Sequence, residues 1–185
     1  MALDNATVQQ KVAEKFGEAV KDFTEPYDML TFEVDRDKAI ELMQFLRDDD
    51  ILRFNFLTTM CGIHFPDNEV ERQFAVMYQM HNWLDNTRVR FKAFLNGENP
   101  EVESATRLFN SANWMEREAF DFYGIIFKGH PDLKRILNMD EMVSFPMRKE
   151  FPLEDQGRTD KDDRYFGRFP ANSAEVGSVT PGGNR

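Results

Sequence analysis

Four segments between residues 27 and 95 alternate apolar and polar residues, and this alternation limits the possible folds more than any other feature. The segments are Tyr27–Val34, Ile51–Thr59, Arg72–Met80 and Arg88–Leu95. Successive side chains of a strand point to opposite faces, so this period predicts a sheet that is buried on one face only. Short connections between the last three segments predict an antiparallel meander.

Helical periods flank these segments. Asp35 is expected to cap a helix that runs to about Arg47, and an amphipathic helix is predicted near the N-terminus from Thr7. A further helical approach is predicted after Asn99-Pro100. The pattern therefore predicts an α+β fold: a sheet of about four strands, mainly antiparallel, with helices packed on one face, followed by an extended C-terminal arm.

Composition restricts the function classes. The formal net charge is −10, which argues against nucleic acid as a main partner. Cys61 is the only cysteine, so neither a disulfide within the chain nor a four-cysteine iron–sulfur cluster can form. The sequence has no dinucleotide-binding fingerprint, no phosphate loop and no apolar run as long as a membrane span. We therefore expect no cofactor or metal in this chain, and contact with a membrane only through partners.

Aromatic, charged and turn-forming residues are densest between Trp114 and Leu153. The first part predicts a helix with one apolar stripe, ending at Gly124, because glycine adopts a left-handed cap at little cost. Pro131 is suited to open a short helix to about Leu137. The predicted stripe consists of Ala112, Met115, Ala119 and Phe122, and the opposite face carries Trp114, Arg117, Glu118 and Asp121.

Two interpretations of the charged face are open. Glu118, Asp121 and His130 could converge as acid–base groups or as a metal site. Alternatively, the acids pair with Arg117 on a surface or interface, with the histidine hydrogen-bonded at a turn. Two carboxylates three residues apart are common on helices, and a metal-binding helix usually supplies a histidine at that spacing, so the structural interpretation is favoured.

The run Glu116-Arg117-Glu118-Ala119-Phe120-Asp121-Phe122-Tyr123-Gly124-Ile125 continues after Ile126 with Phe127-Lys128-Gly129-His130-Pro131-Asp132-Leu133-Lys134-Arg135-Ile136-Leu137. A second block has Arg148-Lys149 before Phe151-Pro152-Leu153. These motifs resemble the signature of the 30 kDa subunit of NADH:quinone oxidoreductase, which is the C subunit of respiratory complex I. The resemblance extends from about Leu30 to Leu153.

The resemblance implies a non-catalytic subunit of a translocase, part of the peripheral arm of that complex. Such a subunit holds no cofactor and packs beside the quinone-site subunit, while partner subunits carry FMN and iron–sulfur clusters. It would support electron transfer from NADH to quinone, coupled to proton transport, at the cytoplasmic side of the bacterial cell membrane. The equivalent subunit of a related membrane-bound hydrogenase or dehydrogenase complex is an alternative. A free-standing enzyme using Glu118, Asp121 and His130 is another.

The expected signature and interface residues are Trp114, Glu116, Arg117, Glu118, Asp121, Gly124, His130, Pro131, Lys134, Arg135, Arg148 and Lys149. The predicted organisation is an N-terminal helix over 1–24, the α+β domain over 25–137, a partner-binding arm over 138–170 and a disordered tail over 171–185. An irregular segment with this apolar content is expected to lie against a neighbouring subunit. The same hypothesis places the partners of Arg135, Arg148 and Lys149 on that neighbour.

Overall fold

In the described part of the chain, the main sheet has five strands rather than about four, in the order β1-β2-β5-β4-β3. The computed structural model describes residues 3–151, so the predicted arm beyond 151 and the predicted tail over 171–185 lie outside the described residues. The strands are Val20–Thr24 for β1, Leu30–Val34 for β2, Phe56–His64 for β3, Phe74–Asn82 for β4 and Thr87–Leu95 for β5.

The strand pairing combines the predicted meander with one parallel pair. Strands β3, β4 and β5 pair antiparallel, as the short connections predicted, and β1 pairs antiparallel with β2. Strand β2 instead pairs parallel with β5, in register from Leu30 opposite Val89 to Val34 opposite Ala93. The sheet is therefore mainly antiparallel, as predicted.

Within residues 3–151, three α-helices lie on one face of this sheet: α1 over Asn5–Phe16, α2 over Ala39–Asp48 and α3 over Ala112–Tyr123. Their buried apolar residues belong to the same core cluster as the inward-facing strand residues, including Phe32, Tyr78 and Phe91. Burying those residues against the helices provides the main driving force for folding. The α+β class with helices on one face is confirmed.

The N-terminal region departs from the prediction at both ends of its helix. Asp4, not Thr7, is the cap, and its Oδ1 accepts the Thr7 N–H at 2.8 Å. Helix α1 ends at Gly17, whose φ of 52° is accessible to glycine at little cost. Residues Val20–Thr24, inside the predicted helical segment 1–24, form the edge strand β1.

The second predicted strand begins later than the alternation suggested. Leu52 and Phe54 are buried, but they lie in an irregular segment that folds back on α2. The Asp49 carboxylate accepts the N–H of Leu52 at 3.0 Å, and the Phe54 N–H donates to Leu46 O at 2.8 Å. Phe56, which the alternation places on the same face as Leu52 and Phe54, is instead 39% exposed. Apolar and polar residues also alternate in an irregular segment whose apolar side chains contact a helix. The start of the strand was therefore predicted too early.

Two segments that were predicted to be helical adopt other structures. After Pro100 the chain forms β6, Glu101–Glu103, which pairs parallel with β7, Ile126–Lys128, in a second, two-stranded sheet. Residues 131–137 form turns and irregular backbone instead of a helix. The backbone N–H groups of Ile136 and Leu137 donate to the Asp121 side chain of α3 instead of to helical carbonyl groups.

Candidate functional site

Helix α3 carries five of the twelve expected signature residues, and it ends at a sixth, Gly124, as predicted. Gly124 has φ 75° and ψ 24°, and its N–H donates to Phe120 O. Of the predicted apolar stripe, Ala112 and Ala119 are buried. Two acidic residues, Glu116 and Asp121, are also completely buried in this helix. The helix therefore brings two carboxylates into the protein interior, where each needs hydrogen-bond donors.

Asp121 is the centre of the site because donors from the segment after β7 converge on it; we call this segment, residues 129–144, the connector. The Asp121 Oδ2 accepts the backbone N–H groups of Ile136, Leu137 and Asn138 at 3.1, 2.8 and 2.9 Å. Its Oδ1 accepts Arg135 Nη1 at 2.7 Å and Asn138 Nδ2 at 3.1 Å. The prediction that Asp121 lies on an exposed or interface face is wrong: its carboxylate organises the backbone of the connector.

Arg135 extends this network away from the helix. Its side chain is 8% exposed, and besides Asp121 it donates to Met142 O and to Ser144 O, the latter at 3.0 Å. The hydrogen bonds from the backbone and from Arg135 hold the pKa of Asp121 well below its usual range, despite the opposing effect of burial. Ionised Asp121 and Arg135 thus fix residues 135–144 against α3. The expectation that Arg135 finds its partner on another subunit is wrong.

Arg117 also binds the connector, and its guanidinium lies close to the Trp114 ring. Arg117 donates from Nε to Lys134 O at 3.1 Å and from Nη2 to Arg135 O at 2.9 Å. Its guanidinium lies 5.0 Å from the Trp114 ring centroid, and Trp114 is 62% exposed. Lys134 itself forms an exposed ion pair with Asp132 at 2.8 Å. The Arg117 guanidinium thus supports both the connector backbone and an exposed aromatic ring.

Glu116 joins α3 to the segment after β6. Its Oε2 accepts the Ser104 hydroxyl at 2.7 Å, and its Oε1 accepts the Ala105 N–H at 2.6 Å. Burial raises the pKa of Glu116 to about 7, with the two hydrogen bonds acting in the opposite direction. Glu116 was expected among signature residues, but its burial was not foreseen, because its charge masked its place on the inner face.

His130 is held at a turn, as the structural interpretation supposed. Its Nδ1 accepts the Asp132 N–H at 3.0 Å, so Nε2 carries the proton and donates to Asn113 O at 3.1 Å. Asn113 and Asp121 are eight residues apart on α3, which is about 12 Å along a helix axis. Glu118 is exposed. The structure therefore does not bring the proposed enzyme residues together.

The second block packs on the end of α3 and on β3. Arg148 donates from Nε to Tyr123 O at 2.8 Å, and its guanidinium lies 4.7 Å from the Phe145 ring centroid. The Lys149 N–H donates to Nδ1 of His64 at 3.0 Å. Arg148 thus also has partners within the chain, which corrects its predicted pairing across an interface. The interface role of the Lys149 side chain remains a prediction.

His64 makes a contact that its place in the sequence does not indicate. It is 8% exposed, and its ring stacks on Phe74 with centroids 4.5 Å apart. Burial, together with Arg148 and Lys149, lowers the pKa of His64, with Glu150 acting in the opposite direction. A neutral ring is what an Nδ1 acceptor requires. No local sequence pattern marks this residue, since its partner lies 85 positions later.

Pro131 belongs to the exposed part of the signature. Together with Trp114, Asn113, Gly129 and Arg107 it lines a shallow open depression beside the first turn of α3. Within residues 3–151, no three His, Cys, Asp or Glu side chains are grouped closely enough to hold a metal ion. No helix in the same range is long and apolar enough to cross a bilayer.

Comparisons with known proteins agree with the signature. Residues 32–157 match the family described as the 30 kDa subunit of the respiratory-chain NADH dehydrogenase. The C subunit of the NADH-quinone oxidoreductase of Roseiflexus sp. is 38% identical over 92% of this chain and 98% of its own length. The corresponding protein of Citrifermentans bemidjiense is 40% identical over 91% of this chain and 99% of its own length.

Solved structures share the fold. A trypsin-resistant fragment of Nqo5 is 29% identical, covers 69% of this chain and 98% of its own length, and superposes with a TM-score of 0.57. A chain of an archaeal membrane-bound sulfane sulfur reductase is 19% identical, covers 80% of this chain and 85% of its own length, with a TM-score of 0.66, a likeness of fold alone. Signature, fold and relatives agree, and the chain belongs to the family of the 30 kDa subunit of the respiratory-chain NADH dehydrogenase.

Proposed function

We propose that this chain is a structural and assembly subunit in the peripheral arm of NADH:quinone oxidoreductase and performs no chemical step itself. It holds no cofactor, while partner subunits carry FMN and iron–sulfur clusters and transfer electrons from NADH to quinone, coupled to proton translocation. Its main neighbour is the subunit with the quinone site. Through these partners it is held at the cytoplasmic side of the cell membrane.

The proposal rests on the hydrogen bonds that the signature side chains form. Four of them bind backbone groups of the same chain and fix the connector to α3: Arg117, Asp121, His130 and Arg135. A general acid or base must instead reach a substrate proton at hydrogen-bond distance. Side chains already occupied by backbone donors and acceptors support a role in shaping a surface for assembly.

Trp114 is the signature residue best placed to contact a partner subunit. It is 62% exposed beside the shallow depression lined by Asn113, Gly129 and Pro131. Tryptophan is among the residues enriched at the centre of protein interfaces. The arginine beneath the ring is itself fixed to the connector, so the indole is presented in a defined position at little further entropic cost on binding. We therefore expect Trp114 to be an anchor for a partner subunit.

The test compares the two tryptophans of the chain. Trp114→Ala is expected to lower recovery of cluster-bearing partner subunits at least about tenfold when the affinity-tagged chain is purified from membranes, because central interface aromatics contribute about 2 kcal/mol or more. Trp83→Ala is the matched control, since Trp83 is 63% exposed outside the signature. Both variants should keep the thermal stability of the wild-type chain.

Mass spectrometry of the purified wild-type assembly decides the wider proposal. We expect subunits with flavin and iron–sulfur centres to be recovered together with this chain, in constant ratio. Recovery of the chain alone, with turnover of its own that disappears in Asp121→Asn and His130→Gln variants, would contradict the proposal. It would favour the free-standing enzyme instead.

A further inference from the structure

The outward face of β5 carries a row of cations. The inward residues of this strand, Val89, Phe91, Ala93 and Leu95, belong to the core, so the alternate residues Arg88, Arg90 and Lys92 lie on the opposite face. Arg88 is exposed, and the other two cations are half-buried. The alternation of apolar and polar residues in this segment indicates that Arg90 and Lys92 lie outward, but it does not show what lies beside them.

Neighbouring elements add cations to this row. Lys21 of β1 pairs with Glu33 of β2, and Glu33 pairs with Lys92, so these residues share the same side of the sheet. Arg72 lies over the outward ring of Phe94 at 3.7 Å. We call this surface the basic face; it consists of Lys21, Arg72, Arg88, Arg90 and Lys92.

The strands beneath the basic face do not neutralise it. Glu33 is the one carboxylate among the outward residues of β2, β3, β4 and β5, and both of its oxygens accept from Arg72 Nη2 at 2.9 Å. Arg90 donates from Nη2 to Gln79 at 3.3 Å, but its buried Nε has no partner in the described part of the chain. Lys92 and Arg88 form no ion pair within residues 3–151.

Acidic residues border the basic face at both ends. Asp4 and Asp28 line an open groove beside Arg88 at the start of β5, and other acids lie at the opposite end. Asp35, Asp37 and Glu71 line an open groove there, together with Lys21 and Arg72. Arg90 and Lys92 lie along β5 between the two grooves, since Arg88 lines the first and Phe94, one residue before the end of the strand, lines the second. The excess of positive charge therefore lies over the middle of β5, at Arg90 and Lys92.

This concentration contrasts with the rest of the molecule. The chain carries 33 acidic and 23 basic residues, for a net charge of −10. Cations gathered on one sheet face repel one another in the free chain, and a surface of opposite sign would relieve this repulsion. A negative chain is a poor ligand for polyanions at long range. Apolar residues on the adjoining strands, Met77, Cys61 and Ile63, share this face and suit a protein surface better than a phosphate backbone.

We propose that the basic face docks a carboxylate-rich surface of another subunit of the same complex. This inference rests on the proposed function, because it takes the partner from that assembly. Acidic side chains of the partner lie over β5, where they accept from Arg88, Arg90 and Lys92. The partner covers the open side of the sheet, while Trp114 of α3 makes a separate contact at the sheet's other side.

Zero-length cross-linking of the assembled complex tests this contact. A carbodiimide joins a lysine amine to a carboxylate with loss of water, and only where the two touch. Treatment of the purified complex is expected to link Lys92 or Lys21 to Asp or Glu residues of another subunit. Mass spectrometry of the wild-type complex that finds neither lysine linked to another subunit would overturn the proposal.

Charge reversal supplies the second measurement. Arg88→Glu combined with Lys92→Glu is expected to reduce recovery of partner subunits about tenfold at low salt, because reversed charges would face the acidic partner. Lys15→Glu combined with Arg53→Glu changes the net charge by the same amount at exposed positions away from β5 and should leave recovery unchanged. Equal recovery of both variants would overturn the inference while leaving the proposed function intact.

Two further outcomes separate the ideas. If the wild-type chain recovers no partner subunit at all, the proposed function fails and the docking inference fails with it. If the isolated wild-type chain binds phosphatidylglycerol vesicles or single-stranded RNA and the charge-reversed variant does not, the basic face serves a polyanion, and the docking proposal is wrong.

Discussion

Replacing Asp121 with asparagine should lower the free energy of unfolding by about 3–5 kcal/mol, because the change leaves a buried arginine without its counter-charge. The side chain of Arg135 is 8% exposed and that of Asp121 is fully buried, so water cannot replace the lost carboxylate. An amide retains one acceptor oxygen. In either orientation of the asparagine amide, its NH2 group faces other donors, which are Arg135 and Asn138 or the backbone N–H groups of 136–138. Each buried donor left without an acceptor costs about 1–3 kcal/mol.

The pH dependence of this loss follows from the pKa of Asp121. Its folded-state pKa lies below the value of an unfolded aspartate, so the stabilisation is complete above roughly pH 4 and is lost as the pH falls through the folded pKa. The difference between wild type and Asp121→Asn should therefore be constant between about pH 5 and pH 8. It should shrink on acidification below about pH 4.

Urea denaturation of the purified chain, followed by circular dichroism, measures the loss. Glu118→Gln is the matched control: it removes one charge from the same helix at an exposed position, and surface changes usually stay within about 0.5 kcal/mol. Amide hydrogen exchange should show faster exchange at 136–138 in Asp121→Asn alone. If Asp121→Asn costs less than about 1 kcal/mol, or no more than Glu118→Gln, the carboxylate does not organise the connector.

Two further predictions concern the same helix. Gly124→Ala should destabilise the chain by about 1–2 kcal/mol more than Gly129→Ala in thermal melts. Both glycines have positive φ, but a Cβ at Gly124 would lie 2.7 Å from Arg148 Nη2 and from the Phe145 ring, whereas nothing lies within 4 Å of a Cβ at Gly129. Equal losses of stability would show that Arg148 and Phe145 move aside without cost. The pKa of Glu116 is raised to about 7 in the folded chain, so the wild-type protein loses stability as the pH rises from the pKa of an unfolded glutamate to that value. The free energy of unfolding of Glu116→Gln should therefore rise by about 3 kcal/mol relative to that of the wild type between about pH 4 and pH 8. A pH-independent difference in urea melts would refute the buried-carboxylate argument.

Much of the fold was determined by local patterns that act over a few residues. Alternation located β2, β4 and β5, since side chains of a half-buried strand must alternate between core and solvent, whereas β3 begins later than the alternation suggested. Gly124 was identified as a left-handed cap because few other residues adopt that conformation at low cost. The signature between Trp114 and Leu153 identified the family, and the comparisons confirm it.

Partners that are distant in sequence were decided only by the tertiary structure. Asp121 reaches residues 14–17 positions later, and His64 reaches Lys149 across 85 positions. An analysis of helical periodicity assigns an acidic residue to the solvent-exposed face of a helix. A carboxylate can nevertheless be buried where enough hydrogen-bond donors converge on it, and here those donors belong to backbone that is distant in sequence. For the same reason the sequence could not predict that residues 131–137 lack a helix, since N–H groups at 136–138 bind a side chain of α3. Nor could the sequence show that cations from β1, β5 and the segment before β4 share one face, because strand order and the parallel pairing of β2 with β5 exist only in the folded sheet.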